Sequence, residues 1–161
     1  MTEATTLREA TPADTAEILR LVKALAEYEH EPDAVKADEP LLHEALFGAS
    51  ANARCLIAEL DGRAVGFAVW FHNFSTWTGK RGIYLEDLFV EPAARGKGIG
   101  KRLIVRTAQI AVELGCGRFE WAVLDWNAPA IAFYRALGAT PMDEWTVMRV
   151  DGDALAALAT M

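Results

Sequence analysis

The amino-acid sequence predicts one mixed α/β domain over residues 1–161. Three observations predict it. Strand-like and helix-like runs alternate in the order β-α-α-β-β-β-α-β-α-β, with no linker, repeat or low-complexity block between them. Asp61-Gly62 separates two apolar runs and marks a hairpin. A glycine-dense turn at residues 95–100 joins a strand-like run to a long helix-forming one. The 161 residues are 52% hydrophobic, enough to fill a single core.

Residues 5–9 form a short first strand. Thr11-Pro12-Ala13-Asp14 opens a helix, with Thr11 as cap and Pro12 in the first turn, and Ile18, Leu21, Val22 and Leu25 make its apolar stripe. Residues 29–33 are a loop, and residues 41–47 a second helix stopped at Gly48. Residues 54–60 and 64–71 are the hairpin strands, and residues 83–90 the fourth strand. Residues 101–114 contain no glycine or proline and place Leu103, Thr107, Ala108, Ala111 and Leu114 on a buried helical side. Gly115-Cys116-Gly117 ends that helix, and residues 119–124 are a fifth strand. Asn127-Ala128-Pro129 opens a helix closed at Gly138. Residues 145–150 read as a last strand before a small alanine-rich helix.

A formal net charge of −7 argues against nucleic acid as a partner and suits a cationic or amine substrate. Cys55 and Cys116 give neither a disulfide framework nor metal spacing, and no metal is expected. The run Met-Thr-Glu-Ala-Thr-Thr has no basic flank or apolar stretch, so no signal peptide is expected. No segment reaches membrane-spanning length. The expected location is the cytoplasm, with reduced thiols.

The turn after the fourth strand carries the chemistry. Gly96, Gly98 and Gly100 remove side chains so that backbone N–H groups can approach an anion, and a helix start lies behind them. Arg95, Lys97, Lys101 and Arg102 make four of eight residues basic in an acidic chain. Neither the P-loop spacing nor the dinucleotide Gly-x-Gly-x-x-Gly spacing fits. By itself the turn reads either as a pyrophosphate cradle or as an ordinary strand-to-helix loop.

Arg-x-x-Gly-x-Gly, from Arg95 through Gly98 to Gly100, resembles the acetyl-CoA signature of the GNAT acetyltransferases. Four further blocks resemble that family at the expected separations, and the resemblance covers most of the chain. They are residues 74–79, residues 84–87, Trp121-Ala-Val-Leu-Asp-Trp-Asn127 and Pro129-Ala-Ile-Ala-Phe-Tyr-Arg-Ala-Leu-Gly138. Residues 74–79 and 84–87 resemble the spermidine/spermine and thialysine branch. The Ser-Thr-Trp and Val-Leu-Asp-Trp-Asn spellings are closer to the thialysine type. Ser75 stands where the polyamine enzymes carry an acidic residue, which sets long polycations apart from the expected acceptors.

The resemblance implies a mostly antiparallel, mixed sheet splayed between its fourth and fifth strands, helices on both faces, acetyl-CoA as cosubstrate and a homodimer. It implies that the pantetheine arm pairs along Leu88, Phe89 and Val90. Arg95, Gly96, Lys97, Gly98, Ile99, Gly100 and Lys101 would hold the pyrophosphate, and Asn127, Ala128, Pro129, Ala130 and Tyr134 the rest of the cofactor. Tyr28, Glu29, Trp77, Glu86, Asp87, Glu120, Trp121 and Ala122 would line the acceptor site.

Each candidate also has a plainer reading. Tyr134, beside Phe133, is either packing or the acid that protonates the leaving thiolate. Glu86 and Asp87 are adjacent in an apolar strand and are expected on opposite faces, with Glu86 as base. Asp87 is left open between substrate contact and a structural ion pair. Trp77 and Trp126 are either packing aromatics or a site wall. His30, His43 and His72 lack triad partners or metal spacing, and Cys116 reads as a turn residue. An alkyl ammonium costs roughly 4.6 kcal/mol to neutralise at pH 7, so a carboxylate base is needed. The expected function is acetyl transfer to the primary amine of a small molecule, lysine-like or a short diamine. A protein or peptide N-acetyltransferase and a non-catalytic acyl-CoA-binding module are the alternatives.

Overall fold

The computed structural model describes residues 4–161, as a first unit ending at Ala122 and a second, Val123–Met161. The first three residues, part of the run read above for a leader, lie outside the described residues. In the first unit β1 is Thr5–Glu9, α1 Thr15–Tyr28, α2 Glu39–Phe47, β2 Arg54–Leu60, β3 Arg63–Ser75, β4 Lys80–Val90, α3 Ile99–Glu113 and β5 Phe119–Trp121. The second unit holds α4, Ala128–Ala136, and α5, Gly152–Leu158. No helix among the described residues is long and apolar enough to cross a membrane.

The sheet runs β1-β2-β3-β4-β5, antiparallel except for the parallel β4–β5 pair. Alternation along β2 and β3 sends one residue set to each face. Ile57 and Phe67 pack with Ile18, Leu21 and Leu25 of α1 and Leu46 of α2. Leu56, Ala58 and Ala68 pack on the other face with Ile99, Leu103, Ile110 and Ala111 of α3. Ile18, Leu21, Ile57 and Phe67 are wholly buried, each worth about 1.5–3 kcal/mol of transfer free energy. Entry into α1 is a capping box between Thr11 and Asp14, and Arg8 joins Asp14 to Glu59 of β2. That guanidinium holds the Asp14 carboxyl down at about 2.

Several boundaries differ from the sequence reading. The α3 helix begins two residues early, because Gly98 caps it in a left-handed conformation, and Leu114 is an exposed cap rather than core. The α2 helix starts at Glu39, where the Asp38 side chain accepts from the Leu41 N–H at 2.9 Å. Residues 71–81, between the two strands read at 64–71 and 83–90, are mostly the β3–β4 hairpin, with a turn at Thr78-Gly79. The β5 strand stops at Trp121 instead of residue 124. Residues 145–150 form no strand: a strand needs a ladder partner, and the second unit by itself consists of two helices and irregular chain. The Asp61-Gly62 turn forms as read, both residues at positive φ.

The β4 strand has two features that shape the site. It pairs with β5 only at Ile83, Tyr84 and Leu85, and continues alone on that side to Val90, the splay the family resemblance implies. It also carries one extra residue: Val69 faces Asp87 while Trp70 faces Leu85, so Glu86 is a β-bulge. The apolar pattern records the same slip, since Ile83, Leu85, Leu88 and Val90 share the α3 face and Phe89 lies on the other. Glu86 and Asp87 therefore both turn to the α1 face. Their expected placement on opposite faces is wrong, because the bulge breaks the two-residue period between them.

The β3–β4 pair is tight at Gly66, where a Cβ would stand 2.9 Å from the Phe89 carbonyl oxygen and 3.2 Å from a Val90 methyl. A backbone oxygen cannot swing aside. Gly66→Ala should therefore cost about 1–3 kcal/mol of stability. Thermal unfolding checks this, and an unchanged melting temperature contradicts the close approach.

Candidate active site

The turn after β4 is built to present N–H groups. Gly96 and Gly98 stand at φ 80° and 74°, and a Cβ at either meets nothing within 4 Å. Glycine is required there by the left-handed backbone, not by crowding. The first helical bond of α3 runs from the Arg102 N–H to the Gly98 oxygen at 3.0 Å, so the N–H groups before it have no partner within the helix. The dipole of a fifteen-residue helix adds partial positive charge at the same point.

Two of the four cations there are engaged elsewhere. The Arg95 Nε donates to the Val90 oxygen at 2.9 Å, and its guanidinium lies 4.7 Å from the Tyr28 ring centre and 5.6 Å from that of Phe89. Arg95 thus fastens the glycine turn to the end of β4 and to the C-terminus of α1. Arg102 donates to the Thr5 oxygen at 3.0 Å, which ties α3 to β1.

The acidic residues gather on the α1 face of β4. Glu86 is exposed, and Asp87 is half-buried beside it. Desolvation first, then the charges of Glu86 and Glu29, push the Asp87 carboxyl up to about 7. Glu29, the C-terminal cap of α1, is itself raised by desolvation. No cation or hydrogen-bond donor reaches Asp87 among the described residues, so the structural ion pair considered for it does not form. Glu120 on β5 lies opposite Tyr84 and accepts from Asn73 at 3.3 Å. Burial, and then Glu86 and Glu120, raise the Tyr84 hydroxyl.

Tyr84 and Asn73 were missed by the sequence reading. Parity along β4 finds Tyr84, since it shares the face of Glu86. Nothing in the sequence marks Asn73, because the β3 extension that positions it carries one apolar residue, Phe74, among polar ones. Trp77 sits at the hairpin turn, 82% exposed, so it is not core packing. Ser75 serves that turn by accepting from the Thr78 N–H at 3.3 Å. Trp121 packs against Phe119 with the rings tilted by 55° and their centres 4.9 Å apart, and Ala122 follows it. In the second unit Asn127 caps α4 by accepting from the Ala130 N–H at 3.3 Å, with Pro129 in the first turn. Tyr134 lies on α4 with its ring 5.3 Å from that of Phe133.

The acetyltransferase (GNAT) family profile matches residues 17–139. The thialysine N-epsilon-acetyltransferases of Sus scrofa and Bos taurus are each 41% identical to this chain, over 95% of it and 96% of their own length. Among solved structures, an integron cassette protein from the mobile metagenome of V. cholerae superposes with a TM-score of 0.82 at 27% identity, covering 98% of each chain.

The Asp87 carboxyl has a consequence that needs no substrate. Folded chain keeps a proton that unfolded chain releases near pH 4, so stability falls as pH rises from about 4 to about 7. Asp87→Asn removes that loss. Its melting temperature should pull ahead of the unaltered chain between pH 4 and 7, then hold a constant lead above 7. The scale is about 2–4 °C per kcal/mol. Calorimetry across that range checks it, and a difference independent of pH contradicts it.

Proposed function

We propose, from the premise that the chain belongs to the acetyltransferase (GNAT) family, that it moves an acetyl group from acetyl-CoA to the primary amine of a small lysine-like molecule or short diamine. The observation that carries this reading lies on β4: one strand presents a carboxylate pair at its bulge and leads, through a short 3-10 turn at Pro92–Ala94, to a positive-φ glycine turn that opens α3. The kinship with thialysine acetyltransferases supports a lysine-like acceptor. The domain is taken to act as one N-acetyltransferase over residues 1–161.

The N–H groups of residues 96–101 meet the pyrophosphate of acetyl-CoA, and Lys97 and Lys101 add charge. The acyl arm runs along Leu88, Phe89 and Val90, where β4 has no β5 partner and its backbone is available for pairing. A backbone N–H of that stretch meets the oxygen of the reacting carbonyl as it gains charge. The acidic face made by Glu29, Glu86, Asp87 and Glu120 attracts the cationic acceptor. A carboxylate of the Glu86–Asp87 pair takes a proton from the ammonium, and the neutral amine attacks the thioester carbon in a ternary complex. The carbon–sulfur bond breaks, and Tyr134 gives its proton to the thiolate. Resemblance of residues 129–138 to the family block motivates that role for Tyr134.

The test is a panel of amines with acetyl-CoA, following release of the CoA thiol. Thialysine, lysine and short diamines should be turned over with higher kcat/KM than spermine, because Ser75 serves its own turn and offers no charge to a distant ammonium. Spermine outperforming them, or no amine-dependent release, contradicts the reading. Tyr134→Phe keeps the ring and removes the proton donor; kcat should fall roughly 10²-fold with cofactor affinity little changed. Near-normal kcat would return Tyr134 to the packing residues.

A further inference from the structure

We propose that Glu91, clasped by the guanidinium groups of Arg20 and Arg63, is a positioning residue that sets where the glycine turn meets the pyrophosphate of acetyl-CoA. The proposal rests on the acetyl-CoA reading above and deepens it, by naming a residue outside the turn on which cofactor binding depends. The turn is anchored through its two ends. A Cβ at Gly96 or Gly98 would meet nothing within 4 Å, so packing around these positions does not hold it. On the far side, Ile99 and Leu103 are buried and fix α3 in the core. On the near side, the 3-10 turn Pro92–Ala94 links β4 to Arg95. Its hydrogen bonds run from the Ala94 N–H to the Glu91 oxygen at 2.9 Å and from the Arg95 N–H to the Pro92 oxygen at 3.2 Å. The near end of the glycine turn therefore takes its place from Glu91 and the proline after it.

Glu91 is itself tied twice. Its N–H donates to the Val65 oxygen at 2.8 Å, one step beyond the Gly66–Val90 pair that ends the β3–β4 ladder. Its carboxylate reaches two further elements. Arg20 on α1 donates from Nη1 to a Glu91 oxygen, and from Nη2 to the Ala64 oxygen and to Glu17, each at 2.9 Å. Arg63, at the start of β3, brings its Nη2 within 3.1 Å of the second Glu91 oxygen. One carboxylate thus joins α1, β3 and the entry to the glycine turn. The Glu91 side chain is 14% exposed, against 37% for Arg20 and 66% for Arg63.

Those exposures decide between stability and positioning. Ion pairs to guanidinium groups this open to water contribute little to folding. The α1 helix keeps its core contacts through Ile18, Leu21 and Leu25 without them. Alignment is more demanding. Hydrogen bonds from N–H groups to a phosphate oxygen weaken steeply with distance and angle, and a shift of about 1 Å can cost roughly 10²-fold. Charge acting through space leads to a different expectation. Glu91 is an anion just ahead of the turn, so by charge alone its removal would favour an anionic cofactor, and removal of Arg20 would oppose it. Positioning gives both removals the same sign, because each breaks the same bridge.

The experiment measures kcat and KM for the acyl donor, with a short diamine saturating, in the unaltered chain, Glu91→Gln and Arg20→Gln. Two donors are compared: acetyl-CoA, and S-acetylpantetheine, which carries the same thioester and arm but no pyrophosphate. Both variants should raise KM for acetyl-CoA roughly tenfold, about 1.4 kcal/mol, with kcat within about twofold of the unaltered chain. With S-acetylpantetheine, kcat/KM should agree within about twofold across all three proteins, because that donor has no group for the turn to hold. The melting temperature should fall by no more than about 3 °C. An unchanged or lowered KM in Glu91→Gln, opposite shifts in the two variants, or equal losses on both donors overturns the proposal. A variant that fails to fold overturns it too, since the cluster would then be structural. If the unaltered chain releases no CoA with any amine, the functional reading itself fails and the proposal falls with it; saturable use of acetyl-CoA with both variants normal sinks the proposal alone.

Discussion

One extra residue in β4 decides which face of the sheet its acidic residues occupy. The sheet would bury a regular strand on both faces, with Asp87 pointing into the α3 core beside Leu85. The bulge at Glu86 shifts the parity, so that Leu88 and Val90 fill the α3 core while Asp87 stays on the α1 face with Phe89. A carboxylate among side chains such as Ile99 and Leu103 would be untenable. Beside the C-terminus of α1 it is costly but tolerated, and that residual cost appears as the raised carboxyl. Beyond Leu85, β4 has no ladder partner in β5 and runs on toward the glycine turn.

The turn and the acidic face are joined by Arg95. Its Nε holds the last carbonyl of β4, and its guanidinium rests on Tyr28, next to Glu29. Arg95, the signature arginine, braces the glycine turn against the end of α1. The acidic residues and the glycine turn both hang on one strand of eleven residues. Separating opposite charges along a single rigid element keeps each from neutralising the other.

Much of this was legible in the sequence for identifiable reasons. The α1 stripe, the Asp-Gly hairpin and the glycine cap of α3 are local signals, set by periodicity or by backbone conformations that few residues adopt. The bulge was not read, although Ile83, Leu85, Leu88 and Val90 record it: the apolar residues change parity across Glu86-Asp87. Taking the run as a uniform strand placed the two carboxylates on opposite faces and singled out Glu86. The extension of β3 through Ser75 was hidden because Phe74 is the one apolar residue of positions 72–75, and Asn73 was missed with it. Residues 145–150 carry strand propensity, but propensity without a ladder partner does not make a strand. The anchoring of Arg95 on Tyr28 is a contact across 67 positions, beyond any local pattern.

The central claim is that the bulge produces a carboxyl group with a neutral titration midpoint on the α1 face of the sheet. The most direct measurement is a carbon-13 NMR titration of the aspartate carboxyl resonances, with Asp87 assigned by the signal that disappears in Asp87→Asn. The structure predicts a midpoint at about 7. A midpoint in the ordinary range, about 4, would contradict it and leave the strand with no group suited to accept a proton at neutral pH.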